Sequence, residues 1–121
     1  MRFIGLTFVM LAGCASTASD LSTHRPYATF SSTRPVADVT ACVRDGINSM
    51  EWALCPRATA NVRQNGDRSE LTVEGERGVD ALFEGQQKGD SSVYELRVSR
   101  QATLGFCSLD SLFKTIADGC M

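Results

Sequence analysis

The chain predicts an α+β domain on an antiparallel sheet, and three observations carry that expectation. Apolar residues between positions 36 and 50 recur at helical spacing, an Asn65-Gly66 dipeptide sits between two alternating runs, and further alternating runs follow with no helical stretch between them. Consecutive strands joined by short turns pair antiparallel, and a sheet with one apolar face buries it under helices. The expected architecture is a sheet of about four to five strands, with one long helix and a short C-terminal helix on one face, in the order β-α-β-β-β-β-α.

Each element has its own signal. Tyr27-Ala-Thr-Phe-Ser alternates, with Ala28 and Phe30 on one face. Pro35 suits a first helical turn. Val36, Val39, Val43, Ile47 and Met50 then share a stripe while Arg34, Asp38, Arg44 and Asp45 point elsewhere. Gly46 weakens this helix by about 1 kcal/mol relative to alanine. Trp52, Leu54 and Pro56 form the exit loop. Asn65-Gly66 reads as a two-residue hairpin turn between Arg57–Gln64 and Asp67–Glu74. Pairing Gln64 with Asp67 sets Val62 opposite Ser69, Ala60 opposite Leu71 and Ala58 opposite Val73. The apolar residues then share one face, and Asn61, Arg63, Glu70 and Thr72 share the other. After a turn at 75–78, a strand from Val79 to Glu84 presents Val79, Ala81 and Phe83 together. Residues 85–90 form a polar loop, and the next strand runs to Val98 with Tyr94, Leu96 and Val98 inward. Ser108 caps a short final helix with Leu109, Leu112, Phe113 and Ile116 on one side, and Gly119 stops it.

Composition bounds the function. With 121 residues, 43% hydrophobic, and a formal net charge of −2, the chain has no basic excess with which to displace counterions from nucleic acid. Its apolar content is too high for a disordered acidic tail, and its length is too small for a separate cofactor domain.

The N-terminus reads Met1-Arg2, an apolar run from Phe3 to Ala12, then Gly13-Cys14. A ten-residue helix covers about 15 Å, half of a hydrocarbon core, so the layout is that of an export signal and not of a membrane span. Leu11-Ala12-Gly13-Cys14 resembles a bacterial lipobox, and the chain as a whole is similar to small bacterial envelope lipoproteins. The resemblance implies cleavage before Cys14, lipidation of that cysteine, and, because Ala15 is not aspartate, an outer-membrane location facing the periplasm. The alternative is a plain secretory signal cleaved near Ala15 or Ala18. Residues 14–25 are rich in small polar side chains and read as a flexible tether. The expected organisation is a leader over 1–13, a tether over 14–25 and one disulfide-stapled domain over 26–121.

Five cysteines are present, and if Cys14 carries lipid, Cys42, Cys55, Cys107 and Cys120 remain. An even number in an exported chain reads as two disulfides, with three possible connectivities. The local pairs Cys42–Cys55 and Cys107–Cys120 are preferred. One objection stands: a helix throughout 107–120 puts its ends about 20 Å apart, beyond the roughly 7 Å a disulfide spans. No Cys-x-x-Cys occurs and the single histidine, His24, falls in the tether. Zinc, redox and Ser–His–Asp chemistry are therefore not expected, and no cofactor is implied.

The remaining candidates are charges on the strands. Glu70, Glu74, Glu76, Asp80 and Glu84 share the sheet with Arg63, Arg68 and Arg77. A carboxylate pair such as Glu70 and Glu84 is compatible with glycan or peptidoglycan hydrolysis, yet a solvated charged face is the plainer reading. Trp52 with Arg57 could be a partner contact but reads more simply as packing. The ten arginines against two lysines reflect base composition more readily than anion binding. The expected function is a lipid-anchored, non-enzymatic envelope protein that binds another protein through a sheet face or edge, with Arg63, Arg68 and Glu70 as contact residues. It would serve as an assembly accessory, a secretion-system component or an immunity or inhibitor protein. The rivals are the hydrolase and a ligand-carrying module with an apolar cavity.

Overall fold

The computed structural model describes residues 18–50, 58–75, 78–99 and 109–121. The elements in chain order are α1 (Ala18–Leu21), β1 (Ala28–Ser32), α2 (Val36–Asn48), β2 (Thr59–Asn65), β3 (Arg68–Gly75), β4 (Gly78–Lys88), β5 (Ser91–Val98) and α3 (Leu109–Cys120). The strands form one antiparallel sheet in the order β1-β5-β4-β3-β2. This is the expected α+β arrangement, with one added turn of helix before the first strand.

Alternation along each strand sends one set of side chains toward α2 and α3, which we call the inner face. Leu71, Val73, Ala81, Phe83, Tyr94 and Leu96 meet Val39, Val43, Ile47, Phe113 and Ala117 there, every one of them at most 1% exposed. Burying each large apolar side chain contributes about 1.5–3 kcal/mol. Phe83 is the hub: Tyr94 stacks on it at 5.1 Å, Phe113 lies tilted at 5.4 Å and Phe30 meets it edge-on at 5.9 Å. Two glycines let this layer close. A Cβ on Gly85 would fall 2.6 Å from the Tyr94 ring, and one on Gly46 would fall 2.7 Å from Ile116 Cγ2. The glycine that costs α2 helix propensity is therefore where α3 makes its close approach.

The disulfide joins Cys42 to Cys120, with 5.8 Å between Cα atoms across a sequence separation of 78. The expected local pairs for these two cysteines are overturned, for the reason the helix length suggested: α3 continues to Cys120, so that residue reaches α2. Cys55 and Cys107 lie outside the described residues, as do Ser108 and the Trp52–Pro56 exit loop. Gly119 does not stop α3. The last turn is held instead by Arg34, whose guanidinium donates to the Cys120 carbonyl at 2.7 Å, and by Ser32, whose hydroxyl donates to the Met121 carbonyl at 2.8 Å.

Three further expectations shift. In the β2–β3 hairpin Asn65 pairs with Arg68, and Val62 faces Leu71 where Ser69 was expected. The loop residues are Gly66 and Asp67, and only Gly66 has positive φ (62°). An Asn-Gly loop of the common hairpin type needs positive φ at both positions, whereas a glycine-first loop needs it at one. The register moves by two residues, so each side chain keeps its face. β4 runs on through residues 85–88, which were expected as loop. Gln87 holds this extension, accepting from the Val36 amide at 2.8 Å and donating to the Gly89 and Ser91 carbonyls at 3.0 Å. Finally, a bulge opposite Val73 and Glu74 inserts Asp80 between Val79 and Ala81. It turns Val79 away from Ala81 and Phe83, onto the outer face, where it packs with Leu21 and Leu82.

That small cluster revises the expected domain boundary. Leu21 is 0% exposed, so the packed domain begins at α1, within the segment read as tether, and not at residue 26.

Candidate functional site

The outer face divides along the strands. At the end where β4 begins, it is covered by α1 and residues 22–26. The covering is pinned by Leu21 and by Arg97, whose Nε donates to the His24 carbonyl at 2.9 Å. The same guanidinium pairs with Glu84 at 3.1 Å and Glu95 at 3.4 Å, and its side chain is only 12% exposed. Toward the other end, where β4 meets β5 and β2 meets β3, the face is open.

Register aligns the charges on this open half. Thr29 opposes Glu95, Glu95 opposes Glu84, Glu84 opposes Glu70 and Glu70 opposes Arg63, forming one row across all five strands. The row beside it runs Ser31, Val93, Gln86, Arg68, Asn65. Like charges directly opposite on neighbouring strands are unfavourable. Arg97 relieves Glu84 and Glu95 from the covered side. Among the described residues Arg63, Arg68 and Glu70 form no ion pair. These side chains line an open groove of about 800 Å³ together with Glu84, Glu95 and Lys88.

The three expected contact residues, Arg63, Arg68 and Glu70, are thus brought together on one surface. The expected pair Glu70 and Glu84 are direct cross-strand partners. Glu74 and Asp80 lie at the covered end, away from the groove, and Cys14, Arg57, Glu76 and Arg77 lie outside the described residues. Sequence reasoning missed Glu95, Arg97 and Lys88. Glu95 and Arg97 alternate with the inward Tyr94, Leu96 and Val98, so their outward direction was available. Lys88 was lost with the extension of β4.

Asn48, at the end of α2, accepts from the Ala60 amide at 2.9 Å and donates to the Ala60 carbonyl at 3.2 Å. One side chain occupies the hydrogen-bonding groups that β2 would offer an added strand there. The inner face holds a second polar chain: Tyr94 donates its hydroxyl to Ser92 at 2.7 Å, and Ser92 donates to the Arg34 carbonyl at 2.9 Å. Burial pushes the Tyr94 phenol up from its ordinary pKa, opposed by the Ser92 hydrogen bond and by the charge of Arg34. Among the described residues no group of three or more His, Cys, Asp or Glu side chains is arranged to hold a metal ion, and no helix is long and apolar enough to cross a membrane.

Comparison with known proteins finds no matching family, no matching curated protein and no matching solved structure.

Proposed function

We propose that the protein is a lipid-anchored, non-enzymatic lipoprotein of the bacterial envelope, attached through Cys14 to the outer membrane, and that it binds another protein with the open half of its sheet. The observation that carries this reading is the charged row Glu95–Glu84–Glu70–Arg63 left uncovered beside Arg68 and Lys88. A face with both signs at fixed spacing selects a partner of complementary pattern and contributes more to specificity than to raw affinity. The Asn48 side chain on Ala60 favours the face over strand addition at that point of β2. The lipobox residues and the disulfide support an exported, anchored chain.

The test is retention of an envelope protein by the wild-type chain and by Arg68→Glu with Glu70→Lys. The bait must keep residues 18–26, because truncation at Ser22 would remove Leu21 and bare Val79 and Leu82. Loss of retention at an unchanged melting temperature supports the reading; equal retention removes the groove from it.

A second reading, glycan hydrolysis, is favoured by the direct opposition of Glu70 and Glu84. Cross-strand partners have Cβ atoms about 5 Å apart, which brings the two carboxylates within reach of the separation used by retaining hydrolases. Glu84 is engaged by Arg97, however, and the groove is open. This reading requires turnover of peptidoglycan fragments that Glu70→Gln abolishes.

A further inference from the structure

The anchor-side segment and the groove lie at opposite ends of the same sheet face, and this has a consequence for how the molecule stands on a membrane. Tyr27, Val79 and Val98 mark one end of the sheet; Ser32, Lys88 and the Gly66 turn mark the other. Residues 18–26 are fastened at the first end by three contacts to the sheet and braced by one hydrogen bond of their own. Leu21 is sealed against Val79 and Leu82. Within the segment, the His24 amide donates to the Leu21 carbonyl at 3.0 Å. Arg97 holds the His24 carbonyl, and the Tyr27 amide donates to Leu96.

The geometry points to residues 18–26 acting as a strap that holds the domain close to the bilayer with its groove turned away from it. The inference rests on lipidation at Cys14. With the strap fastened, four residue steps separate Cys14 from Ala18, at most about 14 Å of chain. From Val79 to Lys88 the sheet extends about 30 Å. A leash half as long as the sheet keeps the Val79 end nearest the membrane and presents Arg68, Glu70 and Lys88 to the periplasm. Unfastened, the thirteen steps from Cys14 to Tyr27 reach about 45 Å, enough for any face to meet the bilayer. With the strap fastened, Tyr27, 43% exposed at the anchored end, is among the described residues the large apolar side chain placed to meet the headgroups, where tyrosine is favoured.

Two measurements test this and separate its failure from that of the anchor. In solution, amide hydrogen exchange of the wild-type chain should show protection at His24 and Tyr27. Leu21→Asp and, independently, Arg97→Gln should lose that protection while Leu71 and Phe83 keep theirs. Unprotected His24 and Tyr27 amides in the wild type overturn the strap. The chain purified with its native N-terminus is then placed in nanodiscs carrying a gadolinium-chelating headgroup. Amide signals of Val79 and Ala28 should be lost, those of Lys88, Gly89 and Asn65 retained, and the difference abolished in Leu21→Asp. Uniform broadening of a bound wild-type chain overturns the orientation with the anchor intact. A chain that does not associate with the discs overturns the anchor reading itself, while the exchange data still decide the strap.

Discussion

The two faces of the sheet are made from the same strands and obey opposite rules. Inward residues are mostly apolar, sealed and interlocked by rings, two glycines and a disulfide, with a few buried hydroxyls among them; outward residues on the open half are polar or charged for the most part, exposed or half-buried, and partly unpaired. The alternation that separates them is a property of the backbone, so one residue's step decides whether a side chain stabilises the fold or meets solvent. Val79 shows how sharp the rule is: a single inserted residue, Asp80, moves it from one face to the other. Substitutions should therefore sort by face, inner ones moving stability and outer ones leaving it nearly unchanged.

The largest effects belong to the inner face. Cys42→Ser opens a covalent loop of 78 residues, and loss of such a constraint costs about 4 kcal/mol in the chain-entropy account. Chemical denaturation with and without reductant checks this, and non-reducing peptide mapping should recover the Cys42–Cys120 link. If two disulfides form, the same map should pair Cys55 with Cys107. Phe83→Ala removes the hub of three ring contacts and should cost about 3–5 kcal/mol, read from the denaturation midpoint.

Gly46→Ala sharpens the comparison because helix propensity and packing disagree. Propensity alone gains about 1 kcal/mol. The new Cβ would lie 2.7 Å from Ile116 Cγ2, a β-branched atom with little freedom, and overpacking costs about 1–3 kcal/mol. The variant should be destabilised, and Ile116→Ala added to it should recover part of the loss.

Much of this organisation was legible in the sequence, because it follows from period. Helical spacing from Val36 to Ile47 and alternation in Leu71–Val73 and Tyr94–Leu96 report which atoms leave water, and that is a local property. The Arg63, Arg68 and Glu70 surface follows from the same alternation. What period does not carry is long-range pairing. Cys42 meets Cys120 because α3 lies across α2, and Leu21 is buried because a distant bulge turned Val79 outward. Neither contact leaves a mark near its own residues. The extension of β4 was hidden for a different reason: Gly85, Gln86, Gln87 and Lys88 have loop-like composition, and only Tyr94 over Gly85 and Val36 against Gln87 explain their place in a strand.

Tyr94 provides a pH test of the inner face. Burial raises its pKa, so its contribution to stability is full below the ordinary phenol value of about 10 and is lost as pH rises through the higher native value. Stability should fall in that alkaline window, and Tyr94→Phe should flatten the fall while losing about 1 kcal/mol at neutral pH from the Ser92 hydrogen bond. Denaturation midpoints at a series of pH values decide it.

The smallest effects on stability belong to the open half of the outer face, the surface proposed to bind a partner. Arg68→Glu with Glu70→Lys should change stability by no more than about 0.5 kcal/mol, as surface substitutions that break no ion pair or core contact do. The most direct measurement is the comparison of this double variant with the wild-type chain, in thermal denaturation and in retention of an envelope protein from the same extract. An unchanged melting temperature with retention lost is the predicted result. Retention of the same protein in equal yield by both chains would contradict the assignment of the groove as the binding surface.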